Sequence, residues 1–361
     1  MISPSILRST LISASSLAPN PVTIFLPFGA PPSTISPPTK RSVLSLPDSY
    51  TSCGIANETL THLTLTAISA YPSDVPTAIS AIESLIVLIT PLLPAFSPSE
   101  PHTSTTTPPS HEHLYGLAGT LYLLRLARHY LIPSSPSTNA PPIPTDAIML
   151  FSNLSSLIEF VANAIVDAGP HWTWHGKSYI GAIHGTAGIF AQLFLTMPDA
   201  SLRYPHLLTW LSNLLDTQLP SGNFPSSVDS PRDELVQICH GAPGVVLSLL
   251  AIKRSTTLPS SLAQRVDVAI ERGREDVLRR GMLRKAPTLC HGTVGNALAM
   301  DQGKRSYLLR RAGREIVDRL VEKGEMAEME GFGLYTGEAG RAWGWMVEMG
   351  LLEGMIGFSE I

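Results

Sequence analysis

Five copies of one short glycine motif constrain the fold of this chain more than any other feature. Gly-x-x-Gly begins at Gly116, Gly185, Gly241, Gly292 and Gly337, and apolar runs follow it. Successive copies are 69, 56, 51 and 45 residues apart. At about 11 to 12 residues per helix, each interval has room for two helices and their connections. The repeat therefore predicts a series of helical hairpins in which the glycine motif starts a helix.

The runs after the glycines differ in polarity from the segments between them. Residues 189–195 and 245–250 are apolar nearly all round, which indicates helices enclosed by other helices. The more charged segments between the motifs predict an outer layer of helices. Apolar residues elsewhere recur mostly at helical spacing, and the alternation typical of strands is nearly absent. The predicted fold class is all-α, an α/α toroid of helical hairpins.

Composition limits the classes of protein that remain. The 361 residues are 44% hydrophobic and 15% charged, and their net charge is −4. Such a chain can bury a large core and carries no electrostatic footprint for nucleic acid. No run reaches the roughly 18 apolar residues of a membrane span. We expect a cytoplasmic protein with a folded domain over residues 51–361.

The first 50 residues are rich in Pro, Ser and Thr. They superficially resemble a mitochondrial transit peptide, but prolines interrupt any amphipathic helix. We therefore expect a disordered segment over residues 1–50 and consider mitochondrial targeting the weaker interpretation.

Cysteine and histidine directly precede several of the glycine motifs. His184, His240 and His291 each stand one residue before a motif, and Cys239 and Cys290 precede two of these histidines. Equivalent positions in a ring of hairpins point to one mouth, at the N-terminal ends of the inner helices. Helix dipoles favour thiolates there, and two cysteines with a histidine form a catalytic type of zinc site.

Four segments carry a resemblance to a known family. They are YIGAIHGTAGI at 179–189, LPSGNFP at 219–225, RDELVQICHGAPGV at 232–245 and LCHGTVGN at 289–296. Over roughly residues 110–361 the chain resembles the lanthionine synthetase C-like proteins, and it is more similar to their eukaryotic branch than to the bacterial cyclases.

The resemblance implies a fold, a site and a reaction. The implied fold is again an α/α toroid. The implied zinc ligands are Cys239, Cys290 and His291, with His184 and His240 as acid/base candidates and Arg232 as an electrostatic partner. The implied reaction is addition of a thiol, from glutathione or a peptide cysteine, to dehydroalanine or dehydrobutyrine in a dehydrated peptide or protein.

Two other functions remain as alternatives. One is a zinc-stabilised regulatory protein that binds glutathione without turnover. The other is a six-hairpin glycosidase, which ranks last because cysteine and histidine occupy the mouth where two carboxylates would be needed.

Two surface features stay open at this point. The basic residues of 272–285 favour a solvated helix face over contact with a membrane, because acidic residues interrupt them. For the side chains of Trp172 and Trp174, the sequence favours equally a location at the mouth of the ring and a location in the core.

Overall fold

A computed structural model describes residues 52–71, 73–93, 109–132, 145–230, 232–329 and 331–358. The segment predicted to be disordered, residues 1–50, lies outside the described residues. The described residues form two compact units, 52–169 and 170–358. These units divide the segment that the sequence predicts as one domain.

The smaller unit contains four α-helices among its described residues. They are α1 (Glu58–Ala70), α2 (Val75–Ile89), α3 (Leu117–Leu131) and α4 (Thr145–Asp167), with a short 3-10 turn, Thr90–Leu92, after α2. Asn57 and Asp74 cap α1 and α2, because their side chains accept backbone N–H groups of the first turn. Helix α3 begins after Gly116, is buried along most of its length and packs against α1 and α4.

The larger unit contains the other four glycine motifs. Its described helices are α5 (Thr186–Thr196), α6 (Ala200–Arg203), α7 (His206–Asp216), α8 (Ala242–Ser255), α9 (Ser260–Arg280), α10 (Thr293–Leu298), α11 (Gln302–Arg310), α12 (Arg314–Glu322) and α13 (Glu338–Glu348). Helices α5, α8, α10 and α13 each begin directly after the first glycine of a motif. They pack in chain order, α5 on α8, α8 on α10 and α10 on α13.

Burial separates these four helices from those between them. Helix α10 buries all six of its residues, and α5 buries nine of eleven. Helix α9, which packs on α8, buries seven of its 21 residues. The apolar run after a glycine motif therefore forms the inner helix of a hairpin in this unit, although α13 is less buried than the others.

The second glycine of each motif brings a loop and a helix into close contact. A Cβ placed on Gly188, Gly244 or Gly295 would lie 1.7, 2.0 or 1.9 Å from the carbonyl oxygen of the residue six positions earlier. No side chain fits in that space. The glycines thus let the preceding loop, which carries the cysteine and histidine residues, lie directly on the first turn of the inner helix.

The predicted all-α fold class is confirmed. In the part of the chain that the structure describes, extended pairing is limited to two isolated bridges, Trp174 with Lys177 and Tyr179 with Ser227. The hairpins are consistent with the helical toroid that the resemblance implies.

Most basic residues of the 272–285 run are bonded within the protein. Arg272 and Arg279 donate to carbonyl oxygens of residues 219–221, and Arg274 pairs with Asp301. Arg280 bonds both Asp233 and Asp276. Arginine side chains of the outer helix α9 therefore hold the loop that precedes α8 in place through hydrogen bonds and ion pairs.

Two described helical segments have the length and hydropathy of a membrane span. They are Val75–Leu92 and Ala147–Asp167. Core helices of soluble proteins pass the same test, so this property is weak evidence for a membrane span.

Candidate thiol and histidine site

The candidate site is built on the loops that precede α5, α8 and α10. The N–H of Cys239 donates to the carbonyl oxygen of Cys290 over 3.2 Å, and the N–H of Cys290 donates to that of Tyr335 over 2.9 Å. On the other side, a Cβ on Gly181 would lie 2.1 Å from the carbonyl oxygen of Cys239. Neighbouring loops thus contact one another through their backbones. This contact brings the residues before separate glycine motifs to one place.

The two cysteine thiols of this site contact each other. Cys239 is 6% exposed, and its thiol shares a hydrogen bond with that of Cys290. This bond lowers the pKa of Cys239 and raises that of Cys290, and burial raises the latter further. Gln237 and the charge of Lys285 also lower the pKa of Cys239. Cys239 is therefore the member of the pair that more readily becomes a thiolate.

Aromatic rings lie beside His184 and His240. His184 stacks on Trp174 with ring centroids 4.0 Å apart and an interplanar angle of 2°. The ring of His240 lies 5.8 Å from that of His184 and 5.1 Å from that of Tyr179. His184 and His240 are therefore neighbours, as the sequence predicts for residues before successive motifs.

Burial keeps His240 neutral. Burial, together with the nearby charges of His184 and Lys285, lowers the pKa of His240 to about 4. The buried Nδ1 of His240 has no hydrogen-bond partner among the described residues. Burial and then Lys285 also lower the pKa of His291. Near pH 7 the neutral imidazole prevails at His240.

The donor chemistry of the site fits zinc. Thiolate sulfur and imidazole nitrogen are the usual zinc ligands, and the structure brings the sulfur donors Cys239 and Cys290 into contact. Among the described residues, however, no three His, Cys, Asp or Glu side chains are placed to hold a metal ion together. The paired thiols are thus the part of the predicted ligand set that the structure brings together.

Arg232 lies on the loop before α8, and its side chain is exposed. Its Nε donates to the hydroxyl of Ser230 over 3.4 Å. The adjacent Asp233 is partly buried and accepts from Arg280 over 2.7 Å.

Sequence reasoning missed Gln237 and Lys285. Gln237 contacts Cys239, and Lys285 contacts Gln237. Gln237 precedes Cys239 by two residues and Lys285 precedes Cys290 by five, so proximity to each cysteine was the available signal.

The two tryptophans, which the sequence left open, have different surroundings. Trp172 is buried against Phe190 and Trp210, whereas Trp174 stacks on His184.

The fold and the site define a class: an all-helical protein of glycine-motif hairpins with a cysteine pair and histidines at the starts of the inner helices. This chain belongs to the lanthionine synthetase C-like protein family, whose profile matches residues 67–357. The resemblance seen in the sequence is thereby confirmed.

Two curated relatives are similar to part of the chain. The glutathione S-transferase LANCL1 of Danio rerio is 31% identical over 192 residues, which cover 52% of this chain and 44% of the relative. The LanC-like protein GCL1 of Arabidopsis thaliana is 32% identical over 198 residues, which cover 53% and 41%. The match thus spans less than half the length of each relative.

Proposed function

We propose that this protein is a zinc-dependent enzyme that adds a thiol, from glutathione or a peptide cysteine, to dehydroalanine or dehydrobutyrine residues of a dehydrated peptide or protein. The observation that carries the proposal is the contact between the thiols of Cys239 and Cys290 at the starts of two inner helices. Membership of the family supports it, and the similarity to a glutathione S-transferase supports the thiol class.

In this proposal Cys239, Cys290 and His291 hold the metal. When held by these residues, zinc would supply a positive charge that lowers the pKa of a further thiol and would leave that thiol nucleophilic. The helix start behind Cys239 favours its anionic form, in the same direction as the lowered pKa of Cys239.

The addition also needs a proton for the carbanion that it creates. His184 is the proton donor in this proposal, because the low pKa of His240 leaves His240 neutral near pH 7. Trp174 fixes the plane of the His184 ring by stacking on it. His240 then acts as a proton acceptor or hydrogen-bond donor, and the exposed Arg232 stabilises negative charge on the incoming substrate.

A second candidate is a regulatory protein that binds a thiol ligand without turnover. One observation favours it: no three donors among the described side chains are placed for a metal ion. The two candidates differ in metal content and in turnover.

Zinc content tests the proposal directly. We expect about one zinc per chain in the purified protein and a loss of most of it in Cys290→Ala, because the variant lacks a proposed sulfur ligand. Cys53→Ala is the matched control, since Cys53 is buried in the other unit and burial raises its pKa to about 12. Metal-free wild-type protein that is fully folded would contradict the proposal and favour thiol binding without turnover.

The proton donor has a separate test. His184→Ala should retain zinc and lose roughly 10²- to 10⁴-fold in turnover of a dehydroalanine peptide with glutathione, the range of general acid catalysis. His171→Ala, an exposed histidine of the same unit, should behave as wild type. Unchanged turnover in His184→Ala would refute this role.

A further inference from the structure

The side chain of Gln237 connects Lys285 to the sulfur of Cys239. Gln237 is 6% exposed, its Nε2 donates to Cys239 Sγ over 3.0 Å, and its Oε1 accepts from Lys285 Nζ over 2.5 Å. An ammonium group can only donate, so the amide oxygen has to face Lys285. The amide NH₂ then has to face the sulfur. Lys285 therefore determines that the NH₂ group of the amide, and not its oxygen, faces the sulfur of Cys239.

The backbone of Gln237 also makes two hydrogen bonds. Its N–H donates to the carbonyl oxygen of His240 over 3.1 Å, and the N–H of His240 donates back to Gln237 over 3.2 Å. Cys239 lies inside the turn that these two bonds close. The side-chain bond from Gln237 then restricts the direction in which the Cys239 sulfur points.

We propose that Gln237 is a positioning residue for the sulfur ligand Cys239, and that Lys285 acts on this ligand through the Gln237 amide. This inference rests on the proposed function, because it assigns Gln237 to a ligand of the proposed metal. Groups that hydrogen-bond to a metal ligand orient it and adjust its charge, and their loss typically costs about 10- to 100-fold in metal affinity.

Cobalt(II) is a suitable probe, because its thiolate charge-transfer absorption reports the sulfur ligands directly. We expect Gln237→Met, which keeps the side-chain volume but has no N–H, to weaken cobalt binding by about tenfold and to shift that absorption. Lys285→Met should weaken binding by a smaller factor. The double variant should lose less affinity than the two single losses combined, because Lys285 acts on Cys239 partly through the amide that Gln237→Met removes.

Gln218→Met is the matched control. Gln218 donates two side-chain hydrogen bonds, to the carbonyl oxygens of Gly222 and Ala269. Its replacement should lower the free energy of unfolding and leave cobalt affinity and absorption unchanged. Lys285 is exposed, so Lys285→Met tests the inference even where Gln237→Met does not fold.

The outcomes separate this inference from the proposed function. Wild-type affinity and absorption in Gln237→Met, or in Lys285→Met, would overturn the positioning role and leave the zinc site standing. Additive losses in the double variant would overturn the action of Lys285 through Gln237. Wild-type protein that binds neither zinc nor cobalt would overturn the proposed function and this inference together.

Discussion

At the scale of single residues, the site depends on glycines that leave room for a loop. A Cβ on Gly244 would lie 2.0 Å from the carbonyl oxygen of Ile238. Gly244→Ala should therefore lower the free energy of unfolding by about 3 kcal/mol, the upper end for overpacking, since the obstacle is backbone. Urea unfolding measures this change.

Gly303 provides the control for that substitution. It lies in α11, and no atom in the described part of the chain comes within 4 Å of an added Cβ. Gly303→Ala should raise the free energy of unfolding by about 0.5–1 kcal/mol, because alanine loses less backbone entropy in a helix. Similar effects at Gly244 and Gly303 would contradict the close contact between loop and helix.

Site residues differ in how far the sequence alone could identify them. Cys239, Cys290 and the three histidines stand out because they share a position relative to the glycine motif. Gln237 has no such regularity, and its partner Lys285 lies 48 residues away. Only the folded chain brings that pair together.

At the scale of elements, the start of α8 depends on a distant side chain. Gly241, which precedes α8, has no side chain to cap it. Asn223 caps α8 instead: its Oδ1 accepts the N–H of Ala242 over 2.7 Å, and its Nδ2 donates to Asp233 and to the carbonyl oxygen of Leu235. The LPSGNFP segment therefore supports the turn that carries Cys239.

Removal of this cap has a measurable consequence. Asn223→Ala should lower the free energy of unfolding by about 2 kcal/mol, because the buried N–H of Ala242 loses its cap and two partly buried acceptors, on Asp233 and Leu235, lose a donor. Hydrogen exchange at residues 239–244 should accelerate. Asn57→Ala, which removes the local cap of α1 in the other unit, should cost about 1 kcal/mol and leave that exchange unchanged. Unchanged exchange in Asn223→Ala would refute the role of Asn223.

At the scale of the whole molecule, buried histidines make stability depend on pH. Burial lowers the pKa of both His111 and His240 to about 4. In the unfolded chain a histidine has a pKa of about 6.5 and binds a proton first as the pH falls. The free energy of unfolding is therefore highest above pH 6.5, and it falls progressively as the pH falls towards 4.

The size of this effect can be tested with one variant. When the pH is lowered from 7.5 to 5, each of these histidines should lower the free energy of unfolding by about 1–2 kcal/mol. His240→Gln should reduce the slope of stability against pH, measured by urea unfolding at several pH values. His62→Gln, at an exposed histidine, should leave the slope as it is. A wild-type slope in His240→Gln would contradict the low pKa.

The sequence by itself determined the helical class, the repeated hairpins and the family, because helical periodicity and glycine spacing are local properties that survive without knowledge of contacts. It also singled out the cysteines and histidines before the motifs. The tertiary structure alone decided that the thiols touch, that burial lowers the pKa of His240 and that Asn223 caps a helix 19 residues later in the chain. Burial and hydrogen bonding depend on neighbours that are distant in sequence, and those neighbours exist only when the chain is folded.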